Sequence, residues 1–224
     1  MAIERIAHRG ARNELPENTL AAFARAFERG ADAIELDVHA TRDGVVVVHH
    51  DPDLVLPVSA LRRGIVEMTW QEVDATRLAT RVSVPTLAEV LAMVPPSATV
   101  YVEIKGSGIE LLVADVIGRS STRCAVHSFD HGAIERFKKI APDVPRGLLF
   151  ERNAAHFDEE LRRIGARDAW PHHSLIDAEL MARASDVGAR VIAWTVNDRT
   201  EAERLARLGV AGICTDDVRM LDRL

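Results

Sequence analysis

A chain of 224 residues is long enough to bury a sizeable core and suits one domain or one barrel better than two. Its formal charge of −6 excludes the broadly basic face that nucleic-acid backbone binding requires, while leaving room for a locally positive pocket that takes a small anion. No apolar run approaches membrane-spanning length and the N-terminus carries no signal-peptide core, so the expectation is a cytoplasmic protein without a membrane span.

The first predicted element runs from Arg5 to Gly10, a short strand ending in His8-Arg9-Gly10. Pro16, Glu17 and Asn18 then open a helix in which Leu20, Phe23, Ala24 and Phe27 fall at helical spacing, and Gly30 closes it. Ala33 to Val38 reads as the second strand, with Glu35 and Asp37 on one face and Ile34, Leu36 and Val38 on the other. Two carboxylates side by side repel unless a hard divalent cation lies between them, and such oxygen ligands suit magnesium, calcium or manganese. A Glu-x-Asp pair also fits a solvated strand face, but here it interrupts an apolar strand and so points into something. Thr41 to Gly44 turn the chain, and Val45 to Val48 return toward His49, His50 and Asp51, bringing imidazole beside the carboxylates.

Pro52 to Val84 is a long irregular stretch holding a short segment, Met68 to Leu78, and an apolar run, Leu54 to Val58, read as packing this stretch onto the rest. A helix starting at Pro85-Thr86-Leu87 shows the stripe Leu87, Val90, Leu91 and Val94. Strands then recur near Val100, Ala125, Leu148, Ala169, Ile192 and Ile213, with helices near Leu112, Ile134, Leu161, Met181 and Leu205. The repeat of roughly 20 to 25 residues is one βα unit, and counting the first two strands gives eight, which predicts a (β/α)8 TIM barrel with a small insertion after the second strand. A doubly wound sheet is the alternative, disfavoured because no glycine-rich phosphate loop follows the first strand. Barrel chemistry sits at strand carboxyl ends, where the sequence puts His8 and Arg9, Glu35 and Asp37, Glu103 and Lys105, His127 and Ser128, His172, Trp194 and Asn197. Cys124 and Cys214 lie in apolar strands and read as buried free thiols.

These pieces resemble the glycerophosphodiester phosphodiesterase family: His8-Arg9-Gly10, Pro16 to Thr19, ELDVHATRDG with VVHHD, Pro85-Thr86-Leu87, Glu103-Ile104-Lys105, Ser128-Phe129-Asp130, Pro145 to Leu149, Trp194 to Asn197 and Gly212 to Asp216. They occur in family order across residues 1–224. The resemblance implies one TIM barrel domain with an insertion at about 52–84 that hydrolyses a small anionic phosphodiester to an alcohol and glycerol 3-phosphate. It implies Glu35, Asp37 and Glu103 as ligands of one divalent ion, Mg2+ or Ca2+ with Mn2+ also compatible. His8 and His50 are the implied acid and base pair, Arg9 and Lys105 the phosphate contacts, and Glu17 a support for that end of the pocket. His127, Phe129 and Trp194 are expected to line the mouth. His39, His49, His172 and His173 are read as non-catalytic, with His172 nearest the mouth. The chain departs from the family after His50-Asp51, where DPDLVLPVSALRRG replaces an Arg-Thr-Thr-like segment, so catalysis carries over more safely than head-group preference. Other readings are lysophospholipid cleavage, a Schiff-base aldolase using Lys105, and a binding barrel without turnover.

Overall fold

The structure, a computed structural model, describes residues 3–56, 61–80, 83–152 and 154–224. In chain order the elements are β1 (Glu4–His8), α1 (Leu20–Glu28), β2 (Ala33–Ala40), β3 (Val46–Val48), β4 (Asp53–Val55), β5 (Arg62–Gly64), α2 (Trp70–Thr80) and α3 (Leu87–Met93). There follow β6 (Thr99–Ile104), α4 (Glu110–Gly118), β7 (Arg123–Ser128), α5 (His131–Ile140), β8 (Arg146–Phe150), α6 (Phe157–Ile164), β9 (Asp168–Pro171), α7 (Ala178–Asp186), β10 (Arg190–Ala193), α8 (Arg199–Leu208) and β11 (Gly212–Thr215).

The strands pair in the order β1-β11-β10-β9-β8-β7-β6-β2, and a β1–β2 ladder closes the ring. All of these ladders are parallel, so the expected TIM barrel is the fold. The last unit is abbreviated: a 3-10 turn, Val218–Leu221, stands where an eighth outer helix would follow β11. Beyond the barrel rim β2 continues, and Val38 to Ala40 pair antiparallel with β3, which is the predicted return strand.

Ile6, Ala33, Tyr101, Ala125, Leu149, Trp170, Ile192 and Cys214, one residue from each barrel strand, pack together as a plug inside the ring. The larger core fills the space between strands and helices, with Phe23, Ile34, Leu36, Val38, Val100 and Val102 fully buried. Both cysteines are buried and unpaired, as expected. No described helix is long and apolar enough to cross a membrane.

The helical stripes need one correction. In α1, whose Thr19 side chain accepts from the Ala22 N–H, the buried residues are Ala22, Phe23 and Ala26, while Leu20 is 37% exposed. The face turns this way because α1 approaches the barrel through small residues. A Cβ on Gly10 would lie 2.7 Å from the Ala22 carbonyl carbon, so only glycine fits there. In α3 the Thr86–Glu89 capping box starts the helix and Leu87, Val90 and Leu91 are buried, as the spacing predicts.

The inserted stretch is less irregular than its sequence suggests. It carries the antiparallel hairpin β4–β5, the 3-10 turn Ile65–Glu67 and α2. Strands of three residues are too short to show a period, which is why the hairpin was illegible. Leu54, Ile65, Met68 and Val73 pack with Val47 into a satellite core, whereas Val55 is 51% exposed. The apolar run therefore alternates in and out at Leu54 and Val55; its Pro57 and Val58 lie outside the described residues.

Candidate active site

Strand register brings the predicted polar residues together. His8 stands beside Glu35, Asp37 beside Glu103, and Glu103 beside His127 in successive parallel ladders. Partners in such ladders project to the same side of the sheet, so this row rings the carboxyl end of the barrel. Glu35, Asp37, Glu103 and His127 are all buried, and ligand atoms of Glu35, Glu103 and His127 lie within 4.8 Å of one another. Burial, followed by the charge of Asp37, pushes the Glu103 carboxyl up to about 7, with Glu35 adding to the rise and Lys105 opposing it. Asp37 Oδ1 and His127 Nδ1 are among the buried polar atoms without a hydrogen-bond partner, as are Arg9 Nε and Asn18 Oδ1 beside them. Clustered buried carboxylates, one resisting ionisation and another with an unpartnered oxygen, are the environment that a divalent cation relieves, and the donor set fits one.

Asp37 stands apart from the other two carboxylates. Its Oδ2 accepts from Asn18 Nδ2 at 2.8 Å and lies 3.0 Å from Arg9 Nε, while Lys105 Nζ is 3.6 Å from Oδ1. Burial opposes ionisation, but Arg9, Lys105 and Asn18 outweigh it and hold the Asp37 carboxyl below its ordinary range. Lys105 also reaches Glu103 Oε1 at 3.3 Å.

Two non-glycine residues with left-handed backbone build this clasp. Arg9, at φ +56°, donates its backbone N–H to the Glu35 carbonyl at 2.9 Å, and Asn18, also at φ +56°, donates its own to the Arg9 carbonyl at 3.0 Å. The two turns set Arg9 and Asn18 over Asp37. Glu17 then joins Arg9 Nη1 and Arg12 Nη2, each at 2.8 Å, and so braces this end of the site.

His8 and His50 each lean on an aspartate. His8 Nδ1 is 2.7 Å from Asp216 Oδ1, and His50 Nδ1 is 2.8 Å from Asp51 Oδ1. A carboxylate can only accept, so each Nδ1 carries the hydrogen and Nε2 is left for other partners. Arg12 Nη1, 3.4 Å from His8 Nδ1, is too distant to displace that arrangement. His39 Nε2 donates to the His50 carbonyl at 3.1 Å, and burial holds both His39 and His49 below the ordinary imidazole value.

His8, Arg9, Glu35, His50, Glu103, Lys105, Phe129 and Trp194 all line one cavity of about 190 Å³. Glu17 instead lines a neighbouring cavity of about 470 Å³, between the α1 entry and the insertion, together with Asp51, Leu54 and Arg62. Phe129 and Trp194 meet edge to face with ring centroids 5.4 Å apart, and Trp194 Nε1 donates to the Trp170 carbonyl at 2.8 Å. His172 sits against Trp194 at 5.4 Å, and His173 pairs with Glu201 at 2.8 Å.

Three participants escaped the sequence reading of roles. His127 lines the cavity, as expected, and in addition register sets it beside Glu103 while its Nε2 lies 3.6 Å from Glu35 Oε1. Asp216, the partner of His8, sits in a quoted motif without a role, and only barrel closure reveals the pair. Glu151, which lines the smaller cavity, directly follows β8 with no polar pattern to mark it.

The model of the glycerophosphoryl diester phosphodiesterase family matches residues 8–220. A glycerophosphodiester phosphodiesterase of Caldanaerobacter subterraneus subsp. tengcongensis is 34% identical, over 98% of this chain and 96% of that protein. The crystal structure of a glycerophosphodiester phosphodiesterase from Thermotoga maritima superposes with a TM-score of 0.86 at 25% identity, covering 98% of this chain and 97% of that one. A phosphodiesterase from Oleispira antarctica, solved with the product sn-glycerol-3-phosphate, shares the fold at a TM-score of 0.85 and 24% identity, covering 96% and 94%.

Proposed function

This chain belongs to the glycerophosphoryl diester phosphodiesterase family and hydrolyses glycerophosphodiesters to glycerol 3-phosphate; on that premise we propose that His8 and His50 are its acid–base pair, working above a divalent-cation site. One observation carries the reading: two imidazoles, each backed by an aspartate, face a single small cavity that Glu35 and Glu103 also line.

Glu35 and Glu103, with His127 in reach, would hold the cation; Asp37, level with Glu103 in the ladder, would join them through its unpartnered Oδ1. When bound, Mg2+ or Ca2+, with Mn2+ also compatible, neutralises charge on the phosphoryl oxygens. Arg9 and Lys105 add fixed positive charge to the same oxygens as the P–O bond to the entering oxygen forms and the bond to the alcohol breaks. One histidine takes the proton of the entering hydroxyl through its Nε2. The other, protonated, delivers a proton to the leaving alkoxide, each transfer contributing on the order of 100-fold or more. Imidazole suits both tasks because its ordinary pKa is about 6.5. Phe129 and Trp194 form an apolar wall for the carbon skeleton, and Glu17 keeps Arg9 in place.

The sn-glycerol-3-phosphate held by the Oleispira phosphodiesterase is the product expected here. Incubation with glycerophosphocholine should release glycerol 3-phosphate, stop on chelation and resume with Mg2+ or Ca2+. Chelator-insensitive turnover, or release of phosphocholine instead, would overturn the proposal. Leu54 and Val55 of the insertion line the neighbouring cavity, which gives lysophospholipid as a second substrate to test, a reading removed if lysophosphatidylcholine is not cleaved.

A further inference from the structure

Asp51 is poorly placed to hold a catalytic ring by itself. It follows His50 directly in the chain, and its side chain is 46% exposed, so water competes for both oxygens. The structure shows a second anchor. Asp51 Oδ1 accepts from His50 at 2.8 Å, while Oδ2 accepts from Arg62 Nη2 at 2.9 Å. Arg62 Nε donates in turn to Asp53 Oδ1 at 2.7 Å. We propose that Arg62 is a positioning residue for the hydrolysis: by fixing the second oxygen of Asp51 from the inserted hairpin, it sets the orientation of the His50 ring.

The hairpin makes this contact possible. Arg62 is paired with Val55 across the β4–β5 ladder, which fixes where its guanidinium stands relative to Asp51. A planar fork held by two aspartates has few alternative poses, and a carboxylate anchored at both oxygens cannot rotate away from the imidazole. Arg63, the next residue, serves a different purpose: it donates to Glu72 at 2.8 Å and to the Glu67 carbonyl at 3.0 Å, within the insertion. An exposed ion pair contributes little to stability, so the expected consequence of losing Arg62 is kinetic. The insertion is then part of the acid–base machinery as well as a wall of the neighbouring cavity.

The inference rests on the role proposed above for His50, and kinetics of the metal-loaded enzyme on glycerophosphocholine separate the two. His50→Ala with near-wild-type turnover would remove both ideas. Given a large loss in that variant, Arg62→Ala should lower kcat about 10-fold with KM within about 2-fold, and Arg62→Lys should recover part of the loss. In an Asp51→Asn background, Arg62→Ala should have no further effect, because the two act as one unit. Arg63→Ala should keep kcat near wild type. Multiplying losses in the double variant, a loss confined to KM, or an equal loss in Arg63→Ala would overturn the assignment and leave the hairpin a structural wall.

Discussion

His8 and His50 face the same cavity with almost the same contact, 2.7 Å to Asp216 and 2.8 Å to Asp51, yet the supports behind them differ. The first pair is built by the barrel. β1 and β11 lie side by side, with Ala7 opposite Thr215, so His8 and Asp216 emerge together from adjacent strands. Asn197 Nδ2 donates to Asp216 Oδ2 at 2.7 Å, its Oδ1 accepts from the Thr215 hydroxyl and the Asp216 N–H, and the His8 and Asp216 side chains are 16% and 18% exposed. The second pair comes from neighbouring residues on the excursion beyond β3, at 37% and 46% exposure, with Arg62 of the insertion behind it. One of the two His–Asp pairs is thus set by the closure of the ring, and the other is backed by a peripheral hairpin.

The largest expected effect ignores this difference, because the proposed cation site serves both histidines alike. Glu35→Gln or Glu103→Gln should lower turnover by about 1,000-fold or more and abolish titration of Mg2+ or Ca2+ by calorimetry. Asp37→Asn should do likewise if its Oδ1 joins the ligand set, and comparison with His127→Ala tells which residue completes the site. Wild-type metal affinity in the glutamate variants would remove the cluster as the cation site.

Next come the imidazoles. His8→Ala and His50→Ala should each lose on the order of 100-fold or more with glycerophosphocholine. A nitrophenyl leaving group, with a pKa of about 7, hardly needs a proton, so on its glycerophospho-ester the variant lacking the acid should recover and the other should not. That assay assigns the roles. Equal losses on both esters in both variants would point to binding rather than proton transfer.

The aspartates test the comparison itself. Asp216→Asn should reduce kcat by about 50-fold and Asp51→Asn by about 20-fold, since the more buried partner has less water to replace it. Equal losses would mean that the difference in support has no kinetic consequence.

The smallest effects are on stability, followed by thermal melts across pH in chelator. Burial opposes ionisation of Asp216, but its bond to His8, the His8 charge, Asn197 and Arg12 hold its carboxyl below the ordinary value. Its contribution is therefore present above the unfolded carboxylate range and is lost as pH falls through the lower folded value. Glu103 has the opposite sign. With its carboxyl raised to about 7, the folded chain retains a proton that the unfolded chain has released, so stability should decline from about pH 4.5 to pH 7. The decline should amount to a few degrees in Tm, vanish in Glu103→Gln and be reversed by the divalent ion. Asp216→Asn should flatten the acid limb more than Asp51→Asn. A flat metal-free profile in the wild type would argue that Glu103 is already ionised.

Much of this molecule is legible in one dimension. The βα rhythm predicts the barrel because each unit's apolar period declares strand or helix locally, and the alternation in β2 and β6 places Glu35, Asp37 and Glu103 on inward faces. Adjacency likewise puts Asp51 within reach of His50. Periodicity says which side of its own strand a residue occupies, but it does not say which residue of the next strand stands level with it. That register, decided when the ring closes, joins His127 to Glu103 and Asp216 to His8 across 208 residues. The left-handed turns at Arg9 and Asn18 close over Asp37, and the hairpin pairing brings Arg62 to Asp51; both depend on packing that no local pattern records. The sequence by itself determined that Glu35, Asp37 and Glu103 share the inward face of their strands, because the direction of a side chain is a local property of a strand. Only the tertiary structure decided which of them touch, because contacts between distant strands are set by shear and closure of the whole sheet.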